Sequence, residues 1–231
     1  MCTVSVVPHE DGYRVMCNRD ERLTRPSARP PRPCKLGART AVYPSDQQGG
    51  GTWIGVNDAG VAVALLNRAP SGRMVTRRPQ YSRGLIVPPL LEFDALATAA
   101  AAAARLDPAA FEPFSIVLVQ GDTVCSITSD GSSLATERAV LRVPVLFTSS
   151  SLGDSVVGPP RRRLFTRMVT AAPSWLDGQR RFHSHAWRGR PAVSVCMTRR
   201  DAKTVSRSPM LIRLPRMTRV FHDLSESTVV L

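Results

Sequence analysis

The cysteine at position 2 has the most direct route to covalent chemistry in this chain. Methionine is normally trimmed when a small residue follows it, and loss of Met1 gives Cys2 a free α-amino group beside its thiol. The reference pKa of an α-amino group is about 7.7 to 8.0, so part of it is neutral at pH 7 and can accept the thiol proton. One residue then supplies both nucleophile and base. The alternative interpretation is a small apolar residue in a strand.

A second cluster of polar residues, Asn18-Arg19-Asp20-Glu21, ends the second predicted strand. Residues 3–7 and 13–17 are short apolar runs separated by a turn-like segment, which is typical of a β-hairpin. Antiparallel pairing brings residues 17–20 back beside Cys2. An arginine near the sulfur favours the thiolate, and a carboxylate near the amino group orients it. A solvated Arg-Asp pair at a strand end is the alternative.

The elements that must position these residues follow from periodicity and turn chemistry. Alternating prolines and arginines at 22–33 predict an extended loop. Gly49-Gly50-Gly51 permits positive or negative backbone φ angles before a second predicted hairpin at 52–66. Helices are predicted at 85–106, with Pro88-Pro89 breaking or kinking its start, and at 160–171. Further strands are predicted at 114–119, 123–128, 143–148, 192–198 and 209–214. Strands, then helices, then strands predict an α+β layered sandwich.

The composition is that of a folded globule with an unusual charge. The 231 residues, with 43% hydrophobic and 21% charged, predict one domain spanning 1–231 and exclude wholesale disorder. There are 31 basic and 18 acidic residues, a formal charge of +13, concentrated after residue 150. That field attracts polyanions, but the arginines are scattered among prolines and apolar residues outside any recognised module. A nucleic-acid partner is therefore not expected.

The cysteines and histidines give no metal or disulfide pattern. The 5 cysteines include no C-x-x-C pair, and Cys17, Cys34, Cys125 and Cys196 are interpreted as inert thiols of a reduced, cytoplasmic protein. His183-x-His185 alternates like two ligands on one strand face but lacks an evident third ligand, so neither metal nor cofactor is expected. The longest apolar segments fall far below the roughly 20 residues of a membrane span.

Six motifs in the first half of the chain together resemble the NRDE family. They are MCT at the start, CNRDERLTRPS (17–27), GGTWIGVN (50–57), LLNR (65–68), SRGLIV (82–87) and FEPFSIVLVQGD (111–122). The eukaryotic members of that family are called transport and Golgi organisation proteins. The family in turn looks like the N-terminal nucleophile hydrolases, and most like the branch with conjugated bile acid hydrolases and penicillin V acylases. The resemblance implies a four-layer αββα sandwich.

The same resemblance implies roles for particular residues. Cys2 is the nucleophile, Arg19 lies beside the thiol, and Asp20 contacts the amino group. Asn67 supplies the oxyanion hole, with a backbone N–H as second donor. The late active-site arginine matches Arg190. The residues assigned to the substrate are Asn18, Trp53 and Ser150; Trp53, which follows three glycines, is interpreted alternatively as a core residue at the start of a strand.

One departure from the pattern affects the predicted activity. The second active-site asparagine of the hydrolases is replaced here by the serine-rich stretch 148–154 (TSSSLGD), where the hydroxyl of Ser149 or Ser150 can donate one hydrogen bond. The prediction is an N-terminal-cysteine amidohydrolase acting on a non-peptide carbon-nitrogen amide of a small molecule. The alternative is a non-enzymatic carrier of a lipid-like or haem-like ligand on the same fold. The substrate and the oligomeric state stay open.

Overall fold

The chain begins with the predicted hairpin, in which strands β1 (Cys2–His9) and β2 (Gly12–Arg22) pair antiparallel. The computed structural model describes residues 2–69, 79–213, 217–222 and 227–230, the last two ranges as backbone only. Gly12 is needed at the start of β2, because a Cβ there would lie 2.2 Å from the carbonyl oxygen of Ile212. The neighbouring strand therefore approaches the hairpin more closely than a side chain allows.

Two antiparallel sheets form the centre of the molecule. The second contains β3 (Arg29–Leu36), β4 (Arg39–Ser45), β5 (Ile54–Asn57), β6 (Ala62–Asn67), β7 (Phe114–Gln120), β8 (Thr123–Ser129) and β9 (Leu134–Val140) in chain order. The first is completed by β10 (Val145–Thr148), β11 (Ala202–Arg213), β12 (Met217–His222) and β13 (Ser227–Val230). Its order, β10-β1-β2-β11-β12-β13, places the two hairpin strands inside the sheet.

The buried apolar residues of the described ranges form three hydrophobic clusters. One cluster, including Val4, Cys17 and Val56, lies between the two sheets. A second packs α1 (Val87–Leu90) and α2 (Leu96–Ala103) against the seven-stranded sheet. A third packs α3 (Asp154–Phe165), its π-helical continuation Thr166–Thr170 and α4 (Trp175–His183) against the six-stranded sheet. The order helix, sheet, sheet, helix confirms the predicted αββα sandwich.

Several local predictions are wrong. The predicted loop at 22–33 contains the start of β3, an edge strand, where proline is tolerated because one side of the strand needs no partner. The predicted helix at 85–106 is interrupted at 91–95, after Pro88-Pro89, and α3 begins at Asp154 rather than 160. Strand β9 and helix α4 were not predicted. No helix in the described part of the chain is long and apolar enough to cross a bilayer.

A buried arginine explains why the predicted strand at 192–198 does not form. Arg161, fully buried on α3, donates to the carbonyl oxygens of Val193 (3.1 Å) and Ser194 (2.6 Å). It also donates to the hydroxyls of Thr3 (2.9 Å) and Thr148 (2.8 Å). These carbonyl oxygens therefore accept hydrogen bonds from the guanidinium instead of from a neighbouring strand. The segment forms a 3₁₀ turn at Pro191–Val193. Arg161 ties α3 to the strands that carry the candidate site.

Candidate active site

Cys2 and Arg19 lie directly opposite each other across the hairpin. Cys2 pairs with Arg19 and Val4 pairs with Cys17 in the β1–β2 register. Because side chains alternate between the faces of a strand, these four residues share one face. Cys2, Val4 and Cys17 belong to the cluster between the sheets, and Arg19 is only 5% exposed. The hairpin thus places the Cys2 thiol and the Arg19 guanidinium side by side in the space between the layers. The sequence predicts this pairing.

A cavity of about 610 Å³ lies over Cys2. Both sheets contribute to its wall, and the sequence-predicted residues Arg19, Asp20, Trp53, Asn67 and Ser150 all line it. It also contains Arg199, which follows the irregular segment after α4. The structure therefore brings together most of the residues that the resemblance singles out.

Arg19 is held by three neighbours. Its Nη2 atom lies 3.2 Å from Asp46 Oδ2 and 3.3 Å from Glu21 Oε2, and its Cζ atom stands 4.4 Å from the centre of the Trp53 ring. Although burial acts in the opposite direction, the hydrogen bond from Arg25 lowers the pKa of Asp46, so this carboxylate stays ionised. Trp53 therefore forms the wall on which the guanidinium rests, a favourable cation–π contact.

The Cys2 thiol lies in a buried hydrogen-bonded pair with Cys17. The hydrogen bond from Cys17 lowers the pKa of Cys2 to about 7, with help from the positive charge of the chain terminus and, to a lesser extent, from Arg19. Burial and the Asp20 charge act in the opposite direction. The same hydrogen bond, together with burial, raises the pKa of Cys17. Cys17 therefore keeps its proton, and its S–H group donates a hydrogen bond to the Cys2 sulfur. Near neutral pH about half of Cys2 is thiolate, the nucleophilic form.

Asp20 lies on the opposite side of β2 from Arg19 and is 3% exposed. Its Oδ1 atom accepts a hydrogen bond of 2.6 Å from Thr204, whose hydroxyl oxygen in turn accepts one from the Met197 N–H. Thr204 stands beside an irregularity in the β2–β11 pairing, between Thr204 and Ser206. Burial raises the pKa of Asp20 to about 6, although the Thr204 hydrogen bond acts to lower it. The carboxylate is thus held in place and titrates close to neutral pH.

The candidate oxyanion donors come from two different strand ends. Asn67 is the last residue of β6, where it pairs with Phe114, and its side chain reaches the cavity. Across the cavity, the Ser149 N–H donates to the Cys2 carbonyl oxygen (3.2 Å), which fixes the serine-rich stretch beside the nucleophile. Ser150 lines the cavity and its hydroxyl oxygen accepts from Arg199 Nη2 at 2.9 Å. Of the two predicted serines, Ser150 is therefore the one at the site.

Two predicted residues are not brought to the cavity. The Asn18 side chain is fully buried on the other face of β2, where its Nδ2 atom donates to the carbonyl oxygens of His183 (2.8 Å) and Val195 (2.9 Å). Arg190 is exposed and lies outside the cavity wall, whereas Arg199 lies within it. Both ring nitrogens of His183 are occupied, by Ser5 and Asn18, and burial lowers its pKa to about 3.

Cys17 and Arg199 are the site residues that the sequence analysis missed. The signal for Cys17 was present, since a residue two positions before Arg19 must share its strand face. Arg199 had no such signal, because its place depends on the irregular segment that the Arg161 side chain shapes. Its guanidinium also donates to the Ser151 hydroxyl (3.0 Å) and the Ala192 carbonyl (3.2 Å). These contacts hold the positive charge of Arg199 at the cavity.

Solved structures with the same architecture define the class of fold as that of the N-terminal nucleophile hydrolases. Penicillin V acylase from Agrobacterium tumefaciens matches with a TM-score of 0.56 at 11% identity, covering 100% of this chain and 86% of the acylase. The Caenorhabditis elegans ortholog of N-acylethanolamine-hydrolyzing acid amidase matches with a TM-score of 0.60 at 15% identity, covering 93% of this chain and 94% of the amidase. A variant of conjugated bile acid hydrolase from Clostridium perfringens gives 0.55 at 10% identity, covering 100% and 92%.

The sequence itself identifies the family. A family model described as Transport and Golgi organisation 2 matches residues 1–169, well over half of the chain. The chain belongs to this family, which confirms the resemblance seen in the six motifs. No curated protein sequence matches the chain.

Proposed function

We propose that the protein is an N-terminal-cysteine amidohydrolase that cleaves a carbon-nitrogen amide bond of a small molecule. The observation that carries the proposal is the Cys2 thiol, with a pKa lowered to about 7 by Cys17, at the wall of a cavity and opposite Arg19. A strongly perturbed nucleophile beside a cavity is a recognised mark of a reactive site. The names of the structural relatives, an acylase, an amidase and a conjugate hydrolase, support the same chemistry.

In the first half of the reaction the Cys2 sulfur attacks the amide carbonyl carbon. Removal of Met1 leaves the α-amino group on Cys2, where it takes the thiol proton. A carbon–sulfur bond forms and the carbonyl oxygen becomes an oxyanion. Collapse of this intermediate breaks the carbon–nitrogen bond, and the α-ammonium group returns its proton to the departing amine. The products of this half are a free amine and a thioester on Cys2.

In the second half a water molecule attacks the thioester. The α-amino group accepts a proton from the water, the carbon–sulfur bond breaks, and the acid is released with Cys2 regenerated. Asp20 keeps the α-ammonium group oriented through both halves, since its buried carboxylate is fixed by Thr204. Arg19 stabilises the thiolate whenever it forms.

The tetrahedral oxyanion needs hydrogen-bond donors that are already in place. Asn67 is suited to this role, since no hydrogen bond to its side-chain amide occurs within the described ranges and the side chain lines the cavity. Each such donor contributes on the order of 10² to 10³ in rate. Ser150, whose hydroxyl oxygen accepts a hydrogen bond from Arg199, belongs to the stretch that by resemblance replaces the second asparagine of the hydrolases. Arg199 supplies there a positive charge that an asparagine lacks.

The alternative function, carriage of a lipid-like or haem-like ligand, fits the cavity less well. Apolar ligands are held in sites lined mainly by hydrophobic and aromatic side chains. This cavity is lined by six arginines and five acidic residues, and apolar side chains such as Leu65 form a minority of its wall. The charged lining favours a polar substrate and thus the hydrolase.

The test combines the state of the first residue with turnover. Intact-mass spectrometry should show that Met1 is removed, and the purified protein should release 7-amino-4-methylcoumarin from its N-acyl amides, with acyl groups from acetyl to decanoyl. Cys2→Ala should abolish this release, whereas Cys125→Ala, at a buried cysteine outside the cavity wall, should leave it unchanged. Retained Met1, or equal release by Cys2→Ala, contradicts the proposal.

A further inference from the structure

Two arginines that the proposed mechanism does not use, Arg68 and Arg83, form one side of the cavity wall. Arg68 directly follows Asn67 at the end of β6, and Arg83 begins the 3₁₀ turn Arg83–Ile86. Both are anchored on one atom, because the carbonyl oxygen of Pro113 accepts the Arg68 backbone N–H at 2.9 Å and Arg83 Nη1 at 2.9 Å. The shared acceptor holds the two residues side by side.

Within the part of the chain that the structure describes, neither of these two arginines takes part in a salt bridge. Arg19 and Arg25 are matched by Glu21 and Asp46, but among the described residues no carboxylate forms a salt bridge with Arg68 or Arg83. To the residues that the structure describes, Arg68 donates from its side chain to the Ser115 hydroxyl at 3.3 Å, besides its backbone bond. Both side chains are partly buried. A partly buried cation that forms no salt bridge is costly, and an anionic ligand lowers that cost.

Their position relative to the nucleophile makes such a ligand a substrate. Cys2, Arg68 and Arg83 all line the same cavity of about 610 Å³. Burial lowers the pKa of Arg83, and the charges that oppose this shift include Glu112 and Cys2. Asn67, the candidate oxyanion donor, is the residue next to Arg68. A group bound by the two arginines therefore sits within the reach of a small molecule from the reacting carbonyl.

The overall charge of the cavity indicates which anion fits. Its wall carries six arginines against five acidic residues, one positive charge in excess. A singly charged carboxylate balances that excess, whereas the charge of a doubly charged phosphate is larger than the excess. The planar guanidinium group also matches a carboxylate in two parallel hydrogen bonds.

We propose that Arg68 and Arg83 bind a carboxylate of the substrate, so that the amides cleaved at Cys2 carry a carboxylate group. The inference rests on the proposed function, because it names the substrate class of the same site. It assigns to the two arginines a role in specificity and in binding. They take no part in proton transfer.

The first experiment measures anion attraction without requiring turnover. Cys2 is alkylated with iodoacetate, which is anionic, and with iodoacetamide, which is neutral and of similar size, and peptide mapping gives the rate constant at Cys2 for each. The ratio of the iodoacetate rate constant to the iodoacetamide rate constant should be higher in the folded protein than in the unfolded chain. It should fall by about tenfold or more in the Arg68→Gln/Arg83→Gln double variant, since charge-assisted hydrogen bonds are lost. Arg142→Gln, which removes one exposed charge outside the cavity, should leave the ratio unchanged.

The second experiment compares matched substrates. The first pair is the glutaryl and the butyryl amide of 7-amino-4-methylcoumarin, of which only the glutaryl amide carries a carboxylate, on the acyl side. The second pair is N-decanoylglycine and N-decanoylglycinamide, of which only N-decanoylglycine carries a carboxylate, on the amine side. One carboxylate-bearing member should have a higher kcat/KM than its neutral counterpart. In the double variant the ratio of the two kcat/KM values should fall by about tenfold or more.

The outcomes separate the two proposals. An alkylation ratio that the double variant does not change, or a preference of the unmodified protein for both neutral amides, overturns the carboxylate inference while the hydrolase stands. Hydrolysis of none of the four amides, with an alkylation ratio that still depends on the arginines, counts against the hydrolase and supports an anion site. A phosphate-bearing alkylating agent that outpaces iodoacetate at Cys2 overturns the choice of carboxylate.

Discussion

Replacing Cys17 by alanine should raise the pKa of the Cys2 thiol, because Cys17 donates the hydrogen bond that does most to lower it. With the pKa near 7, about half of Cys2 is thiolate at pH 7. Without the donor, burial still opposes ionisation, so the pKa should return at least to its ordinary value of about 8.5. Only roughly 3% of the thiol is then ionised at pH 7, a decrease of about 15-fold in the reactive form.

The assay is the pH dependence of Cys2 alkylation by iodoacetamide, followed by peptide mapping. The midpoint of the profile is the quantity to compare, because a more basic thiolate is also a better nucleophile and partly offsets the loss at a single pH. The midpoint should move from about 7 in the unmodified protein to 8.5 or above in Cys17→Ala.

Two further variants separate the hydrogen bond from packing. Cys17→Ser keeps an O–H donor of similar size and should give a midpoint between those of the parent and Cys17→Ala. Cys125→Ala removes a buried thiol from the outer face of the seven-stranded sheet and should not move it. A midpoint that stays near 7 in Cys17→Ala would refute the assignment of the low pKa to this thiol pair.

Two more predictions concern stability. Burial raises the pKa of Asp20 from 3.8 to about 6, so the free energy of unfolding falls as pH rises from about 4 to 6. Asp20→Asn should remove this loss, and the variant should be more stable than the parent protein by about 3 kcal/mol at pH 8 but not at pH 4. Urea unfolding at both pH values is the measurement, and an equal difference at both would contradict the burial argument. Arg161→Met leaves four buried oxygens without their donor and should cost about 3 kcal/mol or more, whereas Arg162→Met, at an exposed position, should change stability by less than about 0.5 kcal/mol. Equal effects in thermal unfolding would show that Arg161 is not structural.

The parts of the fold that the sequence predicts are those with local signals. The first hairpin has two apolar runs and a turn, and its register follows once the turn is placed, which is why Cys2 and Arg19 could be paired in advance. The double glycine Gly50-Gly51 adopts positive φ in the structure, as its composition allows. Motif order then extends these local signals to Asn67 at the end of β6.

The parts that could not be predicted depend on contacts between distant segments. Strand β9 is exposed along most of its length and shows no apolar alternation. Arg161 belongs to a run of three arginines that indicates a solvated surface, yet it is fully buried because four oxygens from three other segments converge on it. Arg190 and Arg199 are equally plausible in sequence, and only the irregular path of residues 191–201 decides which one enters the cavity.

Because Cys2 pairs with Arg19, the length of the first turn determines the geometry of the candidate active site. The strand register is counted outward from the His9–Gly12 pair, which encloses only Glu10 and Asp11. Inserting or deleting a single residue there would, if the rest of β2 keeps its place in the sheet, slide β1 by one position and turn the sulfur to the opposite face. Surface turns usually tolerate such changes in length, but this turn lies some seven residue pairs from the nucleophile and still sets which way it points. Natural relatives that retain the chemistry should therefore vary freely in the residues of this turn and hardly at all in their number.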